Sequence, residues 1–327
     1  MASFSQTVTY SPAYTLVPTY ECFNRCSYCN FRADPGTSPW LSLADAEKIL
    51  QSLQTQDVIE ILVLSGEVHP QSDRRTDWLH HIYDLCELAL SMGFLPHTNA
   101  GPLSVAEMTK LKEVNVSMGL MLEQITPELL KTVHRHAPSK VPDVRSQQLA
   151  LAGELQIPFT TGLLLGIGET ECDRRESLDA IAHIQERWGH IQEVILQPYS
   201  PGQKESSAGA AFGAEDLLKT IRMARQILPD TIGLQIPPNL VQPQMLIACL
   251  AAGATDLGGI SPHDEVNPDY PHPKANQLTA ALNQSGWNFM PRLPVYPHYD
   301  RWLPSRLQKA VSEWRARLAQ SGRHEEF

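Results

Sequence analysis

Val58-Ile59-Glu60-Ile61-Leu62-Val63-Leu64 is a short, almost wholly aliphatic run that breaks at once into Ser65-Gly66-Glu67. Apolar runs of this length, closed by turn residues, read as strands. The same alternation recurs on both sides. Strands are expected at residues 14–17, 58–64, 94–98, 114–122, 159–165, 193–197, 232–236 and 256–260. Helices are expected between them. Ser42 can cap one reaching Leu53, and one from Asp77 stops at Gly93. Ser104-Val105-Ala106-Glu107 forms a capping box, and Thr126-Pro127-Glu128 places proline at the first helical position. Further helical stretches cover residues 142–155, 170–188, 214–228, 241–252 and 274–285. Parallel strands need crossover helices, and about eight β/α units fit a (β/α)8 TIM-type barrel, for which about 250 residues is typical. One domain is expected, with a barrel core at about residues 14–290 and a tail at 291–327. A six-unit open barrel with a separate C-terminal part is the alternative.

In such a barrel the chemistry lies in the loops after the strands. The loop after the first strand carries Cys22-Phe23-Asn24-Arg25-Cys26-Ser27-Tyr28-Cys29, a C-x3-C-x2-C spacing with an aromatic before the third cysteine. Three thiolates this close can hold three irons of a [4Fe–4S] cluster. With no fourth cysteine nearby, one iron stays open to a small molecule. Zinc would want a fourth Cys or His at a usual spacing, and a disulfide framework suits short secreted chains. Cys86, Cys172 and Cys249 stand apart in helical stretches and read as buried thiols.

The net charge of −10 argues against an extended nucleic-acid contact. No apolar run approaches the roughly 18 residues of a membrane helix. The start, Met-Ala-Ser-Phe-Ser-Gln, has neither a basic nor an apolar leader region. A reducing, cytoplasmic setting is expected.

The cysteine spacing with its penultimate aromatic resembles the radical S-adenosylmethionine (SAM) superfamily. That resemblance implies a [4Fe–4S] cluster on Cys22, Cys26 and Cys29, with SAM on the open iron and Tyr28 beside it. Gly66 and Glu67 resemble the superfamily's Gly-Gly-Glu motif, with Ser65 in place of the first glycine. Gly162-x-Leu164-x-Gly166-x-x-Glu169 resembles its adenine-side motif. Glu123 matches a carboxylate that reaches the ribose hydroxyls or amino group, and Arg145 the arginine that pairs with the SAM carboxylate. The SAM contacts implied are therefore Tyr28, Gly66, Glu67, Glu123, Arg145, Gly166 and Glu169.

Within the superfamily, residues 160–170 and 191–197, Gln235-Ile236-Pro237-Pro238-Asn239, Asp256-Leu257-Gly258-Gly259-Ile260-Ser261-Pro262 and Arg292-Leu293-Pro294-Val295-Tyr296-Pro297 resemble the deazaflavin (FO) synthases, specifically their ring-closing component. The tyrosine-coupling component is a near relative, and the menaquinone (futalosine) pathway enzymes are more distant ones. The resemblance implies a radical SAM lyase acting on a small hydroxybenzyl-ribityliminouracil substrate. It also implies a reductant such as ferredoxin or flavodoxin, and a functional pairing with the coupling component. Asp256, Ser261, His263 and Asp264 are expected to serve the pyrimidine–ribityl part at the barrel mouth, with His263 and Asp264 the candidates for catalysis. Asn99, after strand three, can reach SAM or substrate. His263 and His272 offer no compact metal-ligand set.

Overall fold

The computed structural model describes residues 6–205 and 209–321. Residues 1–5, on which much of the leader expectation rests, and residues 206–208 of the Gly-, Ser- and Ala-rich loop lie outside the described residues.

Eight parallel strands close on themselves: β1 (Gln6–Leu16), β2 (Glu60–Leu64), β3 (Leu95–Asn99), β4 (Ser117–Gly119), β5 (Phe159–Leu165), β6 (Ile191–Pro198), β7 (Gly233–Gln235) and β8 (Asp256–Ile260). Each pairs with the next in chain order, and β1 pairs with both β2 and β8, so the sheet is a (β/α)8 barrel. The crossover helices are α1 (Leu43–Leu53), α2 (Arg75–Ser91), α3 (Val105–Lys112), α4 (Pro142–Glu154), α5 (Glu171–Trp188), α6 (Ala214–Ile227), α7 (Pro243–Ala252) and α8 (Ala275–Gln284). Their starts follow local chemistry. The Ser42 side chain accepts from the Asp45 amide, and both Ser104–Glu107 and Thr170–Asp173 form reciprocal caps.

Pleating sets which residues face the lumen. On β2, Glu60, Leu62 and Leu64 line the interior, while Ile61 and Val63 are fully buried against the helices. On β6, Glu193, Ile195 and Gln197 face inward, and Val194 and Leu196 face the helical layer.

Three expectations need correction. The segment after Thr126 is a 3-10 turn, Pro127–Lys131, in which Thr126 makes no side-chain cap bond. The fourth strand spans only Ser117–Gly119, because the chain swings away and Glu123 adopts φ 66°, with a single bridge to Leu163 continuing the pairing. No strand is expected after residue 260, yet one follows α8. A ninth strand, β9 (Trp287–Pro291), pairs in parallel with the N-terminal half of β1. A 3-10 turn, Pro297–Trp302, and helix α9 (Ser305–Ser321) follow it. Leu293, Val295, Tyr299, Leu307 and Val311 then pack on Ile59, Leu95 and Val116 to seal the barrel floor. Among the described residues no helix is long and apolar enough to cross a membrane.

Candidate functional site

The loop between β1 and α1 is held from two sides. The Cys22 amide donates to Ala33 and the Phe23 amide to the Glu67 carbonyl at the end of β2. The amides of Arg25 and Ser27 donate to His136 and Val133, beyond the Pro127–Lys131 turn. Cys22, Cys26 and Cys29 are free thiols that line one cavity of about 310 Å3. Among the described residues no histidine or further cysteine lines that cavity, and no three ligands are set for a single metal ion. Three thiols spread around one hollow fit a multi-iron cluster, which takes its thiolates at separate corners. Burial pushes the Cys26 thiol up to about 12, against the pull of Lys140, and raises Cys22 as well. Metal loading would therefore release protons.

Below the thiols, the turn after β2 is fixed by small residues. Ser65 donates its hydroxyl to the Gly66 carbonyl and accepts from Trp78 Nε1, so serine locks the turn where a first glycine would leave it loose. A Cβ on Gly66 would lie 2.3 Å from the Glu21 carbonyl oxygen, so only glycine fits. The Glu67 carboxylate accepts from Asn24 Nδ2 (2.9 Å), Ser139 Oγ (2.5 Å) and Arg145 Nη2 (2.9 Å). Arg145 also donates to the carbonyls of Met121 and Ser139. Its guanidinium is thus largely committed to the protein, although it lines the cavity wall.

Glu123 faces the same cavity with Lys140 Nζ 2.5 Å from its Oε1. Burial opposes its charge, but Lys140 and Arg145 outweigh burial and hold the carboxyl below its usual range. Burial opposes the Lys140 charge too, yet with Glu123 and Cys26 nearby its pKa ends up raised. Tyr28 lines the cavity and its Oη lies 2.9 Å from His134 Nε2. Burial drives His134 down to about 4, so the imidazole is neutral.

Gly166 and Glu169 stand apart from this wall. Glu169 accepts from the Gly166 and Ile167 amides and from Arg174 Nη1, and so shapes the turn after β5. Leu164 of the same stretch does line the cavity.

A second hollow of about 180 Å3 continues down the lumen and shares Leu62, Leu64, Asn99, Leu120, Ile195 and Gln197 with the first. Asn99 therefore stands at the junction. Ser261 and His263 line the mouth of the lower hollow, with His263 exposed. Asp264 accepts from Asn239 Nδ2, from the Val266 and Asn267 amides and from Asn267 Nδ2, so its carboxylate organises the loop. Asp256 is misplaced by the mouth expectation. As first residue of β8 it lies at the floor, fully buried, bonded by Arg292 Nε (2.6 Å) and Nη2 (2.8 Å). Cys172 is exposed on α5, while Cys86 and Cys249 are buried as expected.

Sequence reading missed Lys140, Ser139, Asn24 and His134 around the thiols, and Glu60, His97, Glu193 and Arg292 in the lumen. Lys140, Ser139, His134, Glu60 and His97 carry no local pattern, and Asn24, Glu193 and Arg292 sit in stretches that give them no role. Only barrel closure and the docked tail bring them together.

A parallel barrel with three thiols at the mouth of its first strand is the arrangement of a radical SAM protein, and residues 16–181 match the Radical SAM superfamily. The chain is 65% identical over 308 residues to the 7,8-didemethyl-8-hydroxy-5-deazariboflavin synthase of Trichormus variabilis, covering 94% of this chain and 91% of that one. The protein of the same name from Trichodesmium erythraeum is 62% identical, covering 96% of this chain and 99% of its own. Among solved structures, HydG, a maturase of the [FeFe]-hydrogenase, superposes with a TM-score of 0.74 at 17% identity, covering 94% of this chain and 69% of that one. Methylornithine synthase gives 0.67 at 15% identity, covering 88% and 84%; both likenesses concern the fold. The chain belongs to the radical SAM superfamily and, within it, to the family of 7,8-didemethyl-8-hydroxy-5-deazariboflavin synthases. Membership implies a [4Fe–4S] cluster and SAM, a small-molecule substrate and a reductant.

Proposed function

We propose that the chain is the ring-closing enzyme of this family. It would convert 5-amino-5-(4-hydroxybenzyl)-6-(D-ribitylimino)uracil-dione to 7,8-didemethyl-8-hydroxy-5-deazariboflavin with loss of ammonia and of two hydrogens, SAM being the oxidant and ending as methionine and 5′-deoxyadenosine. The observation that supports this reading is that the hollow beside the three thiols adjoins, through a largely apolar collar, a second hollow in the lumen. Together they offer a space in which a cofactor at the top meets a long substrate below.

In this reading Cys22, Cys26 and Cys29 hold the cluster, and Tyr28, Gly66, Glu67, Glu123 and Arg145 form the SAM side of the cavity. Gly66 would offer backbone atoms. Glu67 and Arg145 would set the wall through their mutual bond, and Glu123 would offer an ionised acceptor beside Lys140. Gly166 and Glu169 would act by shaping the turn that carries Leu164. When bound, the cluster and SAM would supply a 5′-deoxyadenosyl radical able to take hydrogen from the substrate at its benzylic carbon. The collar of Leu62, Leu64, Leu120 and Ile195 would limit water in that space. His263, exposed at the mouth, is the candidate to carry the released proton, whereas the Asp264 carboxylate is occupied within its loop. A low-potential carrier such as ferredoxin or flavodoxin, a reducing cytoplasmic setting and functional pairing with the tyrosine-coupling component belong to the same reading.

The test is anaerobic reconstitution with iron and sulfide, followed by SAM, reductant and the hydroxybenzyl adduct. Deazaflavin fluorescence together with 5′-deoxyadenosine is expected. 5′-Deoxyadenosine alone would leave the substrate wrong, and product from tyrosine instead of the adduct would assign the coupling step.

A further inference from the structure

The lumen ends on a floor unlike the apolar filling usual in such barrels. Glu60, His97, Thr160, Glu193 and Arg292 line it. The hydrogen bonds there fix which groups are left for a ligand. The Ser117 hydroxyl gives its one proton to the Pro294 carbonyl (2.5 Å), so it must accept from His97 Nδ1–H (2.7 Å). His97 Nε2 is then a bare acceptor. Burial and the Arg292 charge hold the imidazole down to about 3, so it stays neutral. Arg292 commits Nε and Nη2 to Asp256 and Nη1 to the Leu293 carbonyl, and it pairs with Glu193 as well. Four of its five N–H donors are thus engaged inside the protein. Glu193 takes Thr160 Oγ1 (3.0 Å) and Tyr296 Oη (3.3 Å). Three buried carboxylates, Glu60, Glu193 and Asp256, thus surround one guanidinium. Burial pushes Glu60 up, and Glu193 to about 7.

Such a floor is rich in acceptors and short of cations. It can receive hydroxyl donors, and its one guanidinium is already surrounded by carboxyl groups, so a terminal phosphate finds no unshared cation there. Between Glu60 and Leu64 the strand rises about 13 Å, enough depth for a short chain beneath a flat ring held at the collar. We infer that the lumen floor binds an unphosphorylated polyhydroxyl chain and discriminates against the same chain carrying a terminal phosphate, with Glu60, Glu193 and His97 as the specificity-determining acceptors. On the ring-closing reading, on which this inference rests for the ligand's identity, the chain is the substrate's ribityl arm. The floor, not the loop after β8, then holds that arm.

The experiment is equilibrium fluorescence titration of the cluster-loaded protein with three probes. These are 7,8-didemethyl-8-hydroxy-5-deazariboflavin, its analogue with methyl in place of the ribityl chain, and its chain-terminal phosphate ester. Both altered probes are expected to bind at least about tenfold more weakly, as in sites built to hydrogen-bond a ligand hydroxyl. Glu60→Gln and Glu193→Gln should each shrink the penalty on the phosphate ester by roughly three- to tenfold. Equal affinity for the three probes overturns the inference, as does full phosphate discrimination in both variants while they melt like the parent. Should either variant unfold, the three-probe comparison on the unchanged protein still decides. Deazaflavin turnover with no chain-dependent binding removes the floor inference alone. Chain-dependent binding without turnover removes the ring-closing reading alone.

Discussion

Arg145 Nη2 sits 2.9 Å from Glu67 Oε1, with the two side chains only 2% and 12% exposed. Through Glu67 this pair reaches Asn24 of the cysteine loop, and through Arg145 it reaches Met121 beside β4. Removing one partner leaves a buried charge uncompensated, at a cost of about 3–5 kcal/mol. Arg145→Met should lower the urea midpoint of the reduced, iron-free protein accordingly. A midpoint equal to that of the parent would show that the pair does not hold the loop.

Glu123 combines a left-handed backbone with an ionised carboxylate on the cavity wall. Glu123→Gln keeps the side-chain shape and removes the charge. Charge-assisted bonds are roughly twice as strong as neutral ones, so SAM should bind about tenfold more weakly to the cluster-loaded variant. Calorimetric titration reads this directly. An unchanged Kd would take Glu123 out of the SAM site.

Gly66 and Gly36 separate close approach from backbone preference. Gly66→Ala puts a methyl 2.3 Å from the Glu21 carbonyl, whereas Gly36 has φ 83° and nothing within 4 Å of its missing Cβ. Gly36→Ala should cost about 1 kcal/mol from its backbone alone. Gly66→Ala should cost about 1–3 kcal/mol and lower the iron bound per chain, because backbone must shift. The reverse order of melting temperatures would contradict the packing around Glu21.

Acid should destabilise the fold through its buried imidazoles. Burial holds His190 down to about 4, while the unfolded chain takes up that proton near 6.5. This stabilisation is complete above about pH 6.5 and is lost as the pH falls toward 4, by about 2 kcal/mol at pH 5. Glu193, raised to about 7, works in the opposite sense over the same range. His190→Leu should reduce the dependence of unfolding free energy on pH between 6.5 and 5 by about one proton. Denaturant titrations at several pH values measure that slope, and a parallel profile would refute the assignment.

The barrel and its tail are proposed to be one cooperative domain. Leu307 and Val311 of α9 are fully buried on the floor with Leu95 and Val116. Removing residues 305–327 should expose that floor and lower the melting temperature by several degrees, with one transition before and after. Two transitions in the intact chain would divide it into two domains.

Much of this structure is legible in the residues because the signals are local. The bounds expected for the fifth and eighth strands match β5 and β8, since each is a compact run ended by a turn. The cysteine spacing marks its loop without any fold. Trp287-Asn288-Phe289-Met290-Pro291 was not legible as a strand, because its partner lies at the other end of the chain. Lys140 was not legible as the partner of Glu123, because a 3-10 turn of three residues, Pro138–Lys140, aims it there. Asp256 opens its strand and so lies at the floor, whereas Ser261 and His263, which follow the same strand, reach the mouth.

The pairing of β1 with both β8 and β9 also has a consequence for synthesis. Gln6 to Tyr10 find their β9 partners roughly 280 residues later in the chain. At about 5–20 residues per second, a ribosome takes roughly 14–56 s to cover that distance. Residues 13–16 can pair with β2 early, but the start of β1 waits for the end of the chain. Throughout that interval the outer half of β1 lacks its last neighbour, whereas the thiol loop just downstream already has its anchors at Glu67, Val133 and His136, so the cysteine loop can be set before the barrel floor is closed.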